Sequence, residues 1–280
     1  MNDSLRLFVQ KITKLPTIPA IAYEVLQLTS DDNASIGKLE TIIQRDPAIT
    51  AKIISFANSA FFGYIGASTT IGNAIQKIGV NNVRNIAMGV SLMTIFDNGK
   101  QKNVFDYERL YRHSMAVALT SKFLSEKLAT GNPEEHFLSG MLHDLGYLLL
   151  SRFFPALYLK VLEKADKGLL RLDAEKLTLG FTHADIGAWL ADKWNLPVAI
   201  RDTILHHHEP SLAEADVRQA ALIHVADYII SKDFFPVFRK KSSCFLDPSS
   251  LDILGLSERE LADIKSGINK DMFPEGLLAA

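Results

Sequence analysis

Gly140-Met141-Leu142-His143-Asp144-Leu145-Gly146 sets two polar side chains next to each other in a run of apolar and small residues. Phe137, Leu138, Met141 and Leu142 just before the pair have the spacing of a buried helix face. A buried polar group needs a partner, and a buried charge needs an opposite charge or a metal ion. Neighbouring residues on a helix point about 100° apart. The pair is therefore expected inside a helix, meeting an ion at a helix crossing where other helices supply further ligands. Core hydrogen bonds alone would also satisfy both groups.

Outward from this run the periodicity is helical almost throughout. Asn132-Pro133-Glu134-Glu135 combines an N-cap, a first-turn proline and a capping-box glutamate. A long helix is expected upstream, from about Phe105 to about Leu128, and further helices after Pro155, Asp173, Thr182, Pro197 and Ala213. Ser257-Glu258-Arg259-Glu260 is another capping box. Towards the N-terminus, Leu5, Phe8, Ile12 and Leu15 share one helical face. Ile36, Leu39, Ile42 and Ile43 form a stripe, Asp46-Pro47 opens a helix, Asn58 to Thr70 reads as a loop, and Gly79 closes a short helix from Ile71. The polar stretch Asn98 to Asn103 marks a boundary. The fold class expected is all-α, a two-lobed helical bundle. Its parts would be an N-terminal lobe (1–100), a second lobe (104–232) and a helical C-terminal extension (233–280).

Composition narrows the function. A net charge of −2, with no basic stripe interleaved with aromatics, argues against nucleic acid as a partner. The single cysteine, Cys244, excludes an intramolecular disulfide and has no paired base nearby. No apolar run approaches the roughly 18 residues of a membrane span, and the first residues do not read as a signal peptide. A cytoplasmic protein is expected.

All eight histidines fall between His113 and His224, in the second lobe. Imidazole and carboxylate are the usual ligands of first-row metal ions. His113 lies in the long helix, His183 at a helix start, His206, His207, His208 and Glu209 at a helix end, and His224 and Asp227 three apart on one helix.

The order His113, His143-Asp144, His183, His207-His208-Glu209, Ala226-Asp227 resembles the HD superfamily of metal-dependent phosphohydrolases. The resemblance is closer to the HDOD family. Leu15-Pro16-Thr17-Ile18-Pro19, the segment Asp46 to Ile54, Ala57-Asn58-Ser59-Ala60-Phe61-Phe62-Gly63 and Ala74-Ile75-Gln76-Lys77-Ile78-Gly79 carry it in the N-terminal lobe. What it implies is an HD-like second lobe whose metal ligands would be His113, His143, Asp144, His183, His207, His208 and Asp227. Glu209, His224, Arg109 and Tyr147 would lie behind the ligands or beside a substrate, and His136 and His206 would be bystanders. One or two divalent ions (Fe, Zn, Mn, Ni or Mg) are expected. HDOD proteins are regarded as bacterial signal-transduction modules, so the resemblance implies a regulatory protein acting on a signalling protein partner. The alternative is a metal-dependent phosphohydrolase acting on a nucleotide or other phosphate ester.

Three departures set the chain apart from the related HD-GYP phosphodiesterases. Tyr147 stands where those enzymes have a lysine three residues after the HD aspartate, and Arg109 replaces a glutamate one turn before the first ligand. The stretch after Glu209 also lacks their Gly-Tyr-Pro signature. These differences argue against cyclic di-GMP as substrate. For Arg109 and Arg112, surface ion pairing is the simpler expectation.

Overall fold

The structure, a computed structural model, describes residues 3–12, 14–28, 33–62, 66–95, 106–234, 245–274 and 277. Among them every regular element is helical and no strand occurs. They divide into two compact units, one of residues 18–95 with 266–280 and one of residues 1–17 with 96–265. The polar stretch Asn98 to Asn103, Cys244 and Phe105 lie outside the described residues.

The first unit holds α2 (Ala20–Leu26), α3 (Asn33–Gln44), α4 (Pro47–Ala57), α5 (Ile71–Ile78) and α6 (Val80–Thr94). Asp46 opens α4 as expected, its carboxylate accepting from the amides of Ala48 and Ile49. Thr70 caps α5 and Gly79, at φ 85°, ends it. The apolar stripes meet in a core of Val25, Leu39, Ile42, Ile43, Ile53, Ile71 and Ile86, all buried. Asn58 closes the loop expected after α4, exchanging two hydrogen bonds with the backbone of Ser68.

The second unit starts with α1 (Asp3–Val9), which is shorter than its apolar stripe. Turn bonds from the Lys11 and Ile12 amides to Phe8 and Val9 close it, so Ile12 and Leu15 fall beyond the helix. Phe8 packs on Phe154 and Phe181 instead. Then follow α7 (Tyr107–Lys127), α8 (Pro133–Leu142), α9 (Leu145–Phe153), α10 (Pro155–Asp166), α11 (Arg171–Leu179) and α12 (His183–Lys193). The unit continues with α13 (Val198–His206), α14 (Val217–Ile229), α15 (Pro248–Leu254) and α16 (Glu258–Gly267), whose last turn passes out of it. Asn132 caps α8 through the Glu134 amide, but Glu135 accepts from the Asn132 side chain instead of its backbone. The Ser257–Glu260 capping box forms in full. No single helix among the described residues is long and apolar enough to cross a membrane.

Two glycines set the spacing at the centre of this unit. A Cβ on Gly140 would meet the Ala118 Cα at 2.9 Å, so α8 lies directly against α7. A Cβ on Gly146 would fall 1.9 Å from the His183 carbonyl oxygen, so the first turn of α9 rests on the start of α12.

Candidate metal centre

His143 and Asp144 do not lie within a helix, as the apolar pattern suggested. They form the break between α8 and α9. Asp144 has φ −95° and ψ 16°, the sparsely used bridge region of the backbone map. As the residue before α9 it makes no capping bond with its side chain, which leaves both carboxylate oxygens for the interior. His143 turns its Nδ1 back onto the Gly140 carbonyl at 2.8 Å.

Around Asp144 the second unit gathers its histidines. Oδ2 lies 3.3 Å from His143 Nε2 and 3.9 Å from His113 Nε2, which comes from the middle of α7. Oδ1 lies 3.3 Å from His183 Nε2 at the start of α12 and 3.8 Å from His207 Nε2 just after α13. One carboxylate thus faces two groups of donors. In one, the facing atoms of His113, His143 and Asp144 lie within 4.8 Å of one another; in the other, those of His183, His207 and His208 do. Asp227 on α14 joins the first group through His113 Nε2 at 3.0 Å, and Ser231 donates to the same oxygen.

The tautomers follow from the outer partners. Nδ1 of His143, His183 and His207 meets the Gly140 carbonyl, the Glu175 carboxylate and the Ile204 carbonyl, each at 2.8 Å. These partners only accept, so each Nδ1 carries hydrogen, and whenever the ring is neutral its bare nitrogen is the Nε2 facing the centre. His143 Nε2 is fully buried and faces Asp144 Oδ2 at 3.3 Å as an ion-pair contact without hydrogen-bond geometry. His183 Nε2 lies 3.1 Å from His208 Nε2 and 3.4 Å from His207 Nε2. Lone pairs held so close need a shared proton or a cation between them. Buried, converging nitrogens, fixed tautomers and two carboxylates suit a first-row divalent ion.

Charge is distributed unevenly. Burial disfavours a charged His183, yet Glu175 and Asp144 together push it up to about 10. His143 is also raised, because the Asp144 carboxylate outweighs its burial. Burial, aided by His143 and His183, pushes His207 down to about 3, and burial lowers His208 as well. Despite burial, His143 and His183 hold Asp144 well below the usual carboxylate range, and His113 lowers Asp227.

The other candidates lie elsewhere. Glu209 is exposed and 3.6 Å from Lys176. Arg112 pairs with Glu108 at 3.2 Å, as expected for a surface arginine, and Arg109 begins α7 one turn before His113. Burial outweighs the Asp216 charge and lowers His136, which packs inside on Ser125. His206 lies 3.7 Å from Asp202. His224 donates from Nδ1 to the His207 carbonyl and accepts at Nε2 from the Asp247 amide, just before α15. Tyr147 is buried with its hydroxyl on Glu175. Glu175 itself escaped sequence reading, since it sits among Arg171, Asp173 and Lys176 in a stretch that looks solvated. Its one signal is position: Arg171, Glu175 and Leu179 recur every fourth residue on the buried face of α11.

An all-helical scaffold that brings histidines and aspartates from successive helices to one buried point has the architecture of an HD-type domain. The chain belongs to the HDOD domain family, whose pattern matches residues 15–210. Asp227 and its helix lie beyond that match. An uncharacterized protein of Treponema pallidum (strain Nichols) is 22% identical over 199 residues, 71% of this chain and 38% of that one. The chain therefore spans under two fifths of the length of this relative. Among solved structures, an HDOD domain protein of unknown function from Geobacter sulfurreducens aligns with a TM-score of 0.73 at 22% identity, covering 96% of this chain and 97% of that one. A Shewanella amazonensis SB2B protein whose name proposes a phosphohydrolase aligns with a TM-score of 0.75 at 24% identity, covering 99% and 98%. These likenesses concern the fold.

Proposed function

We propose that this chain is a regulatory HDOD module built around a divalent-metal centre and working through a signalling protein partner. One observation supports the reading above others: three histidines, each with Nδ1 tied down from outside, aim Nε2 at the two oxygens of Asp144. His113, His143, Asp144 and Asp227 would hold one ion, and His183, His207 and His208 a second, with Asp144 shared. Such ions supply Lewis acidity towards water and phosphate oxygens. The regulatory role is favoured by Tyr147, which stands where the HD-GYP phosphodiesterases have a cationic lysine and spends its hydroxyl on the buried Glu175. A phosphohydrolase is the second reading. It is favoured by the partial exposure of Asp227 and His208, one in each donor group.

Element-resolved mass spectrometry of tag-free protein tests the centre. Near-stoichiometric Fe, Zn, Mn or Ni is expected in the wild type and none after His143→Ala with Asp144→Ala. A wild type that stays empty after incubation with these ions would end the metal reading. Turnover of a phosphate ester that vanishes in the double variant would promote the second reading over the first.

Affinity should depend on pH. His183, with a pKa of about 10 in the metal-free chain, carries a proton on the nitrogen that would face the ion. Metal uptake must expel it, so acid weakens binding and alkali strengthens it. The expected slope is about tenfold per pH unit for each proton released. Competition titrations with a chelator at pH 6.5 and 8.5 measure this; equal affinities would contradict it.

A further inference from the structure

We infer that Glu175, with Tyr147, is a positioning residue of the metal centre: it clamps His183 from behind and aims its Nε2 at Asp144, His207 and His208. The inference rests on the proposed metal reading. Glu175 is wholly buried, where an unpartnered carboxylate would be very costly. Three donors meet it. Oε2 accepts both the backbone amide and Nδ1–H of His183, each at 2.8 Å, and Oε1 accepts the Tyr147 hydroxyl at 2.9 Å. The Tyr147 ring then lies on the His183 ring, 4.1 Å between centres and 16° from parallel. Position, tilt and tautomer of this imidazole are thus all set by two residues outside the donor set.

A clasp that only joined α11 to α12 would need the backbone bond alone. The second bond, to Nδ1–H, reaches the ring on the side away from the cluster. There a carboxylate makes the opposite nitrogen a better donor. Because His183 is the one member of the donor set that the clamp is seen to hold, its effect should fall on the His183, His207 and His208 group.

Co(II) binding, followed by chelator competition and by visible absorption, tests this. The ion lost in His183→Ala marks the relevant group. Glu175→Gln keeps an oxygen for His183 and an amide for Tyr147, so it retains the shape and removes the charge. It should weaken that same ion by about 10–100-fold, change its absorption band and leave any other ion untouched. Tyr147→Phe should shift the same band by less, and it decides the matter if Glu175→Gln does not fold. Wild-type protein that takes up no Co(II) ends the metal reading and this inference together. Wild type that loads and loses an ion in His183→Ala, but keeps its affinity and spectrum in Glu175→Gln and Tyr147→Phe, ends the role of Glu175 alone. Equal weakening of every bound ion in Glu175→Gln would mark Glu175 as merely structural and overturn the inference too.

Discussion

Asp144→Ala should lower metal affinity at least on the order of 10³-fold, the largest effect of any single ligand change. Losing an outer partner of a ligand costs 10–100-fold, and Asp144 stands nearer the centre than any such partner. Each of its oxygens faces two imidazoles, His113 and His143 on one side and His183 and His207 on the other. Removing it takes a donor from both groups at once, whereas removing His113 or His208 takes a donor from one. It also takes away the main negative charge that keeps His143 raised. Parallel measurements of bound metal in Asp144→Ala, His113→Ala and His208→Ala give the comparison. If Asp144→Ala binds metal within about tenfold of the wild type, Asp144 is not shared between two ions.

Gly146→Ala should destabilise the metal-free protein by about 3 kcal/mol or more, the upper end of what overpacking costs. The new Cβ would lie 1.9 Å from the His183 carbonyl oxygen and 2.7 Å from its carbonyl carbon. Both are backbone atoms, so no rotamer change relieves the clash. Relief requires α9 and α12 to separate, and His183 moves with α12. Metal affinity should therefore fall along with stability. Urea unfolding of chelated protein measures the first effect. A change within about 0.5 kcal/mol of wild type, the usual range for a harmless surface substitution, would mean that the two helices have slack at this contact.

Much of the fold is legible because its signals are local. Asp46, Thr70, Asn132 and Ser257 cap helices through side chains only a few residues from the amides or carboxylates they meet. The ends of α1 and α8 were harder to read. An apolar stripe records which residues could share a face, and it cannot record that the chain turns at Lys11 or at His143. The backbone leaves the helix at Asp144, beside the His143 Nδ1 bond to Gly140, and periodicity registers neither. The donor types of the centre were visible as an uneven placing of histidines. Glu175 was not, because its burial depends on a contact with His183 at the start of α12, which its charged neighbours disguise.

His113 and Asp227 are hydrogen-bonded across a sequence separation of 114 residues. Synthesis from the N-terminus adds these donors in sequence order, so the two groups gain their last members at different times. His183, His207 and His208 are all present once His208 has been added, while the group completed by Asp227 must wait for α14. Chain order therefore lets the three-histidine half be complete before Asp227 has been added to the other.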